Sequence, residues 1–397
     1  MKNNTNILVI APTLPKYDLT SGDLRFYTIL KILASSYDIC MFCLSEKDKG
    51  NRYEDELKGF GIELHFGSTE FADFLHKKSF KLALFEFYYT LDFHLERLRL
   101  LQPKCRIVMD TVDVHYMRLQ MKYELTRDEA DLRSMQETRA KELAAYEKSD
   151  LLVTVTKDDA IGLKSDLGDF RYFIIPNIHE IVISNSQPQK NTLIFVGGFS
   201  HDPNVDAMLY FCNQVLPLVR ENADVKLIIV GSNPPEQVQA LQNDHVTVTG
   251  YVESTTPYLH DSYISVAPLR FGAGMKGKIG EAMAHGLPVV TTSVGAQGMG
   301  LKHGDNILIA DSEQDFAEAI LHLLKDNELY GTIRNNGLRY IQDNFTSEHV
   351  AALLTKLVTT IADVPIKRMP LKEKLGFYFD YIMRLAKPAF GLHSHKN

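Results

Sequence analysis

The segment that decides the fold is Val266–Gly298, which reads VAPLRFGAGMKGKIGEAMAHGLPVVTTSVGAQG. It begins in a short apolar run, Tyr263–Ala267, that predicts a β-strand, and it continues into a predicted helix from Lys278 to His285. Between them lies the loop Gly272–Gly277, which has the spacing G-x-G-x-x-G. Glycine lets the backbone approach a ligand closely, and a helix N-terminus attracts negative charge. The strand–loop–helix unit therefore predicts a phosphate-binding site.

The same segment argues against a nicotinamide dinucleotide. Pro268–Phe271 separates the glycines from the strand, and Thr291–Gly298 contains no Asp or Glu that could bind a ribose. Two cations, Lys276 and Lys278, stand at the start of the helix, where they are unfavourable for the helix itself. We therefore predict that a diphosphate binds there. The alternative is a solvated lysine pair on a surface turn.

Glu281 lies about one helical turn after Lys278. Its carboxylate can accept hydrogen bonds from two vicinal hydroxyls, as on a ribose, or it can form an ion pair with Lys278 on the helix surface. The spacing alone favours the ion pair.

Outside this segment, short apolar runs alternate with longer amphipathic stretches. The runs are continuously apolar, which predicts parallel strands covered on both faces. The predicted fold class is therefore α/β, with two doubly wound domains facing a central cleft in which ligands bind. The predicted strands are Ile7–Ala11, Ile39–Leu44, Ile62–Phe66, Leu82–Phe87, Arg106–Met109, Leu151–Val155 and Tyr172–Ile175, then Leu193–Val196, Val225–Gly231, Val246–Thr249, Tyr263–Ala267, Pro288–Thr292 and Ile307–Ala310.

Helices are predicted between these strands. They include Asp23–Ala34, the long charged stretch Tyr116–Lys148, and Pro203–Val219 with Asp202 as its N-cap.

The polar segment Ser184–Asn191 has the composition of a linker. We therefore expect a first domain over residues 1–183 and a second over 184–346. A helix over 347–366 is expected to cross back to the first domain, and a basic tail covers 367–397.

Composition restricts the class of protein. The chain of 397 residues has 43 Lys and Arg against 50 Asp and Glu, a formal net charge of −7, which argues against a nucleic-acid partner. Asn6–Pro12 is too short for a signal peptide, and no apolar run reaches the length of a membrane-spanning helix, so we expect a cytoplasmic protein. Cys40 and Cys43 form a CxxC, but their offset on a strand directs them to opposite faces, which argues against a metal or redox site.

The tail from Lys367 to Asn397 carries seven basic and two acidic residues. Within it, Leu371–Lys387 predicts an amphipathic helix with one apolar side. We expect this helix to attach the protein to the anionic inner face of the plasma membrane; the alternative is that it packs on the protein. The residues predicted to contact the membrane are Lys372, Lys374, Phe377, Phe379, Arg384 and Lys387.

Several motifs occur in a characteristic order and spacing: Phe195–Gly198 (FVGG), His201–Ala207 (HDPNVDA), Thr249–Val252 (TGYV), Pro268–Thr292 and Gly295–Gly298 (GAQG), with looser matches at Ser21–Arg25 and Asp110–His115. In these motifs the chain resembles the retaining glycosyltransferases of the GT-B fold, a group called family 4 or group 1. The resemblance covers nearly the whole chain and is most specific over Leu193–Asp311.

The resemblance implies that the second domain binds a nucleotide-sugar donor and the first an acceptor. Lys278 would neutralise the donor diphosphate, Glu281 would bind the ribose, and His115 would face the reacting sugar; these three are the predicted catalytic residues. The predicted donor-binding residues are Gly22, Gly198, Tyr251, Val252, Gly272, Gly274, Met275, Lys276, Lys278 and Glu281. The predicted acceptor-side residues are Asp23, Arg25, Asp113 and His115.

The chain departs from the family pattern at two places. Ala273 stands where most members have the first of two glutamates, and the Arg and Lys usual after the Phe-Val-Gly strand are replaced near Gly198 and Phe199. These departures keep two alternatives open: a non-catalytic GT-B subunit that binds a nucleotide-sugar, and a GT-B nucleotide-sugar epimerase.

The mechanism that the resemblance implies needs no cofactor, since the nucleotide-sugar is a substrate. The sequence contains no Asp-x-Asp, so a metal at the phosphates is not indicated and lysines are expected to neutralise them. The acceptor hydroxyl would attack from the face that the nucleotide leaves, His115 would orient the reactants, and the anomeric configuration would be retained. The expected acceptor is a glycan or a lipid-linked sugar in the assembly of bacterial cell-surface polysaccharide or glycolipid.

Overall fold

The structure is a computed structural model that describes residues 3–67, 71–184, 187–272, 274–368 and 375–376. Two parallel sheets, each covered by helices on both faces, form two α/β domains. This arrangement confirms the predicted fold class.

The first sheet consists of parallel strands whose central members are largely buried. They are β1 (Asn3–Ala11), β2 (Tyr37–Cys43), β3 (Glu63–Phe66), β4 (Leu82–Glu86), β5 (Arg106–Asp110), β6 (Leu151–Thr154) and β7 (Tyr172–Ile174). Their order in the sheet is β3-β2-β1-β4-β5-β6-β7. Each predicted strand is present within two residues of its expected limits, except that β1 begins four residues earlier.

The helices of the first domain are α1 (Ser21–Ser36), α2 (Arg52–Gly59), α3 (Phe71–Lys77), α4 (Leu91–Leu101), α5 (His115–Thr126), α6 (Glu129–Lys148) and α7 (Lys157–Leu167). The single helix predicted over Tyr116–Lys148 was wrong, because the segment forms α5 and α6. Arg127 takes a left-handed conformation with φ of 55° and ends α5, and Asp128 then caps α6 through a bond from the Ala130 N–H.

The second sheet is also parallel, with strands β8 (Thr192–Val196), β9 (Lys226–Val230), β10 (Val246–Gly250), β11 (Ile264–Ala267), β12 (Val289–Thr291) and β13 (Leu308–Ile309) in the order β10-β9-β8-β11-β12-β13. The helices that follow are α8 (Asp202–Tyr210), α9 (Leu216–Arg220), α10 (Glu236–Gln239), α11 (Thr256–Asp261), α12 (Gly277–Ala284), α13 (Ser293–Ala296), α14 (Glu313–Lys325), α15 (Asn327–Asn344) and α16 (Ser347–Thr360).

Two helix predictions in the second domain need correction. Asp202 is the first residue of α8 and His201 is its N-cap, so the predicted cap is displaced by one position. The predicted helix Pro203–Val219 is also not uniform, because Phe211–Val215 forms a π-helical turn between α8 and α9.

The pleat of β2 separates the two cysteines of the CxxC. Cys40 packs in the core on one face of the first sheet and Cys43 in the core on the other, and both thiols are free. The prediction that they lie on opposite faces is confirmed.

Helix α16 packs on the first domain. Its residues Val350, Leu354 and Leu357 belong to the same apolar core as Ile29 of α1. After the helix, Arg106 donates to the carbonyl of Val364 at 3.3 Å, so the chain past the second sheet is attached to the first.

Within the part of the chain that the structure describes, no helix has the length and apolar character needed to cross a bilayer. The six residues of the predicted membrane tail, Lys372, Lys374, Phe377, Phe379, Arg384 and Lys387, lie outside the described residues.

Candidate functional site

The loops that follow the strands of the two sheets meet between the domains. The start of α1 touches the start of α12, since a Cβ added to Gly277 would lie 2.5 Å from the side chain of Ser21. Asn177, after β7, donates to the carbonyl of Met275 at 3.4 Å. The candidate site is the region around these contacts, at the carboxyl ends of both sheets.

Lys278 lies in the first turn of α12 and is held by a residue of α8. Its Nζ donates to Oδ1 of Asn204 at 2.6 Å and lies 5.2 Å from the centre of the Phe195 ring. No side chain caps the start of α12, where Lys276 is the N-cap residue. The ammonium and the free N–H groups of α12 therefore form a positively charged edge beside the cleft.

Glycines allow Lys278 to reach this position. A Cβ at Gly197 would lie 3.1 Å from Cε of Lys278 and 2.9 Å from Nδ2 of Asn204, which is too close for either to stay in place. The next residue, Gly198, accepts a 2.6 Å bond from Asn204 Nδ2 through its carbonyl. Gly198, predicted to bind the donor, thus supports Asn204 through its backbone carbonyl.

Lys276 is bonded to the backbone of its own loop. Its Nζ donates to the carbonyls of Gly272 at 3.2 Å and Gly274 at 2.9 Å, and only 6% of the residue is exposed. The two glycines have φ of 147° and 65°, conformations that suit glycine. The prediction of a cation presented to the donor is therefore corrected for Lys276, which instead fixes the glycine-rich loop. Ala273 lies outside the described residues.

Both lysines are less basic than an exposed lysine. Burial, followed by the charge of Lys276, lowers the pKa of Lys278 to about 8. Burial also lowers the pKa of Lys276 to about 8, although the carboxylates of Asp113 and Asp159 oppose the effect. A bound anion would reverse these shifts by stabilising the charged form.

Glu281 does not use its carboxylate on Lys278. Its Oε1 accepts from the Thr255 hydroxyl at 2.5 Å, while Lys278 turns to Asn204. Burial raises the pKa of Glu281. Nearby, the side chain of Tyr251 is 53% exposed and Val252 is partly buried, so the predicted base-binding backbone lies at the surface of the second domain.

His115 is the first residue of α5, and α6 fixes it there. The completely buried Glu142 accepts hydrogen bonds from the backbone N–H groups of His115 at 3.0 Å and Tyr116 at 2.9 Å, and from the Tyr146 hydroxyl at 3.0 Å. Burial raises the pKa of Glu142 to about 7. Sequence reasoning missed Glu142, because a bond across 27 positions leaves no local pattern.

The ring of His115 lies 5.8 Å from Phe87 and 5.7 Å from Tyr88, measured between ring centres. Burial lowers the pKa of His115; the Asp113 carboxylate opposes this shift, while Arg118 and His201 of the second domain add to it. The ring is therefore neutral at physiological pH and lies at the boundary between the domains.

Asp113 faces the glycine-rich loop of the other domain. Its Oδ2 accepts from Arg118 Nε at 3.0 Å, and its Oδ1 finds no hydrogen-bond partner among the described residues. A Cβ on Gly274 would lie 3.5 Å from that Oδ1. Asp113, predicted on the acceptor side, therefore lies beside the glycine-rich loop of the second domain.

The remaining predicted site residues of the first domain differ in whether they lie at the start of α1 or in the core. Gly22 lies beside Val112 at the start of α1, and the partly buried Asp23 accepts from the Thr20 hydroxyl at 2.9 Å. Arg25 is only 1% exposed: it forms an ion pair of 2.8 Å with Asp110 and donates to a carbonyl beneath the helix. The prediction that Arg25 contacts the acceptor is corrected, because its guanidinium is enclosed in the core.

Two contacts between the domains were not predicted from the sequence. Lys122 of α5 forms an ion pair of 2.9 Å with Asp202 of α8. The N–H of Gly298 donates to Asp158 at 2.9 Å. These bonds connect the first domain to the second at two further places.

The comparison with protein families agrees with this geometry. Residues 190–326 match the family model described as "Glycosyl transferases group 1". This interval contains α8 with Asn204 and α12 with Lys278 and Glu281. Over this interval the chain is similar to the group 1 glycosyltransferases.

A curated relative shares part of the chain. It is an "Uncharacterized 44.6 kDa protein in cps region" of Klebsiella pneumoniae, 28% identical over 217 residues, which are 52% of this chain and 55% of that protein. The alignment thus spans about half the length of this relative.

Solved structures resemble this chain over most of its length. Sucrose-phosphate synthase from Thermosynechococcus elongatus has a TM-score of 0.69 and 16% identity, covering 91% of this chain and 100% of that chain. Anabaena Alr3699/HepE in complex with UDP-glucose has a TM-score of 0.67 and 13% identity, covering 89% and 99%. At these identities, the likeness shows the fold.

Proposed function

We propose that this protein is a retaining glycosyltransferase that moves a sugar from a nucleoside diphosphate donor to a hydroxyl acceptor. The observation that carries the proposal is the partly buried Lys278 ammonium, held at 2.6 Å by Asn204 beside the uncapped start of α12. A cation and a helix N-terminus directed at the same place favour a diphosphate.

The donor would lie mainly on the second domain. Its diphosphate would contact Lys278 and the start of α12, and its ribose would exchange hydrogen bonds with Glu281, whose Oε1 now accepts from Thr255. The base would reach the exposed backbone near Tyr251. Because the related HepE structure contains UDP-glucose, a uridine diphosphate sugar is the first donor to test.

Transfer would break the bond between the anomeric carbon and the leaving phosphate oxygen. The acceptor oxygen would form the new bond to that carbon from the same face, and its proton would pass to the departing diphosphate. Lys278 and α12 would stabilise the negative charge that develops on the leaving group without a metal ion. The neutral ring of His115 would orient the reacting sugar.

The curated relative supports a biological setting for this activity. Its gene lies in a cps region, which supports a role in the assembly of bacterial cell-surface polysaccharide. The acceptor would then be a glycan or a lipid-linked sugar, and the basic tail would hold the protein peripherally at the inner face of the plasma membrane.

The alternative is a GT-B subunit that binds a nucleotide-sugar without transferring it, which the substitution at Ala273 favours. These functions, and that of an epimerase, differ in the product formed from the donor. A transferase releases nucleoside diphosphate from the donor when an acceptor is present, whereas a binding subunit releases none, and an epimerase changes the donor without requiring an acceptor.

The test begins with calorimetric titration of the full chain against a panel of nucleoside diphosphates. The nucleoside diphosphate that binds identifies the nucleotide of the donor. Sugars linked to that nucleotide are then tested in a nucleotide-release assay with glycan acceptors. We expect saturable binding and acceptor-dependent release. Absence of binding to every nucleoside diphosphate would overturn the proposal.

A further inference from the structure

The chain between β7 and β8 leads from the first domain to the second, and on the way it lies along α12. We call residues 175–183 the connecting segment. Its residues contact one side of α12 in succession, from the first turn of the helix to the last. The pairs in contact are Asn177 with Gly277, His179 with Gly280, and Val182 with Ala284. The connecting segment is therefore the surface on which α12 rests.

The closest of these contacts is between His179 and Gly280. A Cβ added to Gly280 would lie 2.2 Å from Nε2, 2.4 Å from Cδ2 and 2.9 Å from Cε1 of the His179 ring, which is too close for any side chain. Glycine is unfavourable inside a helix, so its presence in α12 needs a reason in the packing. The reason is that the imidazole occupies the space that any larger residue would need.

The His179 ring has little room to move away from α12. The residue is only 7% exposed, and its backbone N–H donates to the carbonyl of Phe345 at 2.8 Å. The preceding residue, Ile178, belongs to the apolar core of the first domain together with Ile29 of α1. The connecting segment is thus fixed to the first domain, while the ring of His179 lies against a helix of the second.

The effect of this ring on α12 is steric. Its Nε2, the ring atom nearest to the place of a Cβ on Gly280, finds no hydrogen-bond partner among the described residues. Burial, followed by the charge of His285, lowers the pKa of His179 to about 4, so the ring is neutral at physiological pH. It therefore acts on the helix through its volume.

The residues of the candidate donor site flank Gly280 on the same short helix. Lys278 comes two positions before it and Glu281 directly after it. Each is bonded to another element of the second domain, Lys278 to Asn204 at 2.6 Å and Glu281 to Thr255 at 2.5 Å. A shift or rotation of α12 at Gly280 would move both side chains relative to these partners.

We propose that His179 is a positioning residue of the donor site: its ring, seated on Gly280, sets the position of α12 and so directs Lys278 and Glu281 to the nucleoside diphosphate. The proposal rests on the proposed function and adds to it a residue that acts only through α12. Small displacements matter here, because a misplacement of about 1 Å can lower the rate of a reaction by about 10²-fold.

The alternative is that the pair of His179 and Gly280 only stabilises the fold. A purely structural pair would change the free energy of unfolding and leave the nucleotide affinity of the folded protein unchanged. A positioning pair changes the affinity of the protein that remains folded. The two roles are therefore distinguished by measuring both quantities on the same variants.

The test is a double-mutant cycle in the full chain with Gly280→Ala, His179→Ala and the two together. Calorimetry gives the affinity for nucleoside diphosphates, and urea unfolding gives the stability. We expect Gly280→Ala to weaken binding at least about tenfold, because the added methyl group displaces α12, and the double variant to bind at least about threefold more tightly than Gly280→Ala. The matched control is Gly331→Ala in α15, where a Cβ would meet no atom within 4 Å; it should bind like the parent.

Two results overturn the positioning role while the proposed function stands. One is parent-like affinity of Gly280→Ala, and the other is a double variant that binds no better than Gly280→Ala. If Gly280→Ala fails to fold, His179→Ala supplies the comparison. Removal of the ring is then expected to weaken binding at least about threefold in a folded protein, and unchanged affinity overturns the proposal.

Hydrogen exchange of the peptide that covers α12, measured without nucleotide, separates this inference from the proposed function. We expect faster exchange in Gly280→Ala than in the parent, and slower exchange again in the double variant. If no nucleoside diphosphate binds the parent, the proposed function fails, and the exchange rates decide whether His179 positions α12. Parent-like exchange in a folded Gly280→Ala protein overturns that role as well.

Discussion

Lys278 and Asn204 lie 74 positions apart and are joined by a hydrogen bond of 2.6 Å from Nζ to Oδ1. The bond connects α12 to α8 and fixes an ammonium beside the cleft, where a lysine alone would sample many rotamers. Asn204 itself is fixed by its bond to the carbonyl of Gly198. The charge is thus placed before any ligand arrives, which is what electrostatic preorganisation requires.

We predict that Lys278→Ala lowers the rate of sugar transfer by a factor of about 10²–10³, because one preorganised charge contact to the leaving group is lost. Lys325→Ala, at an exposed position on α14, is the matched control. Circular dichroism and the transfer rate are measured for both. Near-normal turnover of a folded Lys278→Ala protein would reject the phosphate contact.

Glu281→Ala is expected to weaken binding of a nucleoside diphosphate more than binding of inorganic diphosphate, because the lost carboxylate would contact the ribose. Thr255→Val is the matched control, since it removes only the present hydroxyl partner of Glu281. Calorimetry with both ligands gives the comparison. Equal losses for the two ligands would contradict a ribose contact.

Affinity for the nucleoside diphosphate is expected to fall as the pH rises above about 8, the value to which burial lowers the pKa of Lys278. Below that pH the Lys278 ammonium is charged and attracts the anion; above it the group loses its proton, and the affinity falls by up to about tenfold per pH unit. Calorimetry from about pH 7 to about pH 9 measures this. Lys278→Met should bind more weakly and with a shallower pH dependence, and a flat profile in the parent chain would count against the prediction.

Transfer activity is expected to persist in EDTA, because lysine and helix charges would neutralise the phosphates and the sequence has no Asp-x-Asp. The measurement is the initial rate with and without chelator, at fixed donor and acceptor. A loss of rate that Mg²⁺ or Mn²⁺ restores would contradict a metal-independent mechanism.

His94 should make the fold sensitive to acid. It is completely buried against Phe71, its ring nitrogens find no partner among the described residues, and burial followed by the charge of Arg97 lowers its pKa from 6.5 to about 4. The unfolded chain therefore binds the proton at a higher pH than the folded chain does. The free energy of unfolding keeps its full value above pH 6.5 and falls as the pH drops towards 4, by about 1.4 kcal/mol per unit of difference between the two pKa values. Urea unfolding of His94→Leu should show a weaker loss in this window than the parent chain, with His322→Leu, at an exposed position, as the control. Parallel pH profiles of His94→Leu and the parent would contradict the prediction.

A chain that ends at Arg368 is expected to stay folded but to lose sedimentation with anionic liposomes at low salt. The structure sets this end point, because the Lys367 N–H donates to Asp150 at 2.7 Å and its ammonium to the carbonyl of Glu147 at 2.8 Å. The removed segment carries five basic residues, each worth at most about 1 kcal/mol near an anionic surface. In the full chain, Lys372→Gln with Lys374→Gln should weaken sedimentation in part. Equal sedimentation of the full and shortened chains would favour a tail that packs on the protein.

The sequence alone determined the alternation of strands and helices, the two domains and the glycine-rich loop before α12. These features depend on local periodicity and on glycines such as Gly272 and Gly274. Both have positive φ, a conformation that glycine itself makes accessible, so the residue type at the position is enough to predict it. The break at Arg127 was not predicted, because nothing in the charged pattern of Tyr116–Lys148 marks a residue that leaves the helix.

The tertiary structure alone decided where the charged side chains point. It turned Lys276 onto the carbonyls of its own loop, enclosed Arg25 with Asp110, and placed Glu142 under the helix of His115. In each case the partner is a backbone group or a residue that the fold brings near. The sequence therefore shows that a side chain is charged but not where it points. The physical reason is that burying a charge is costly unless a partner is present, and the packed domains determine which partner each charge finds.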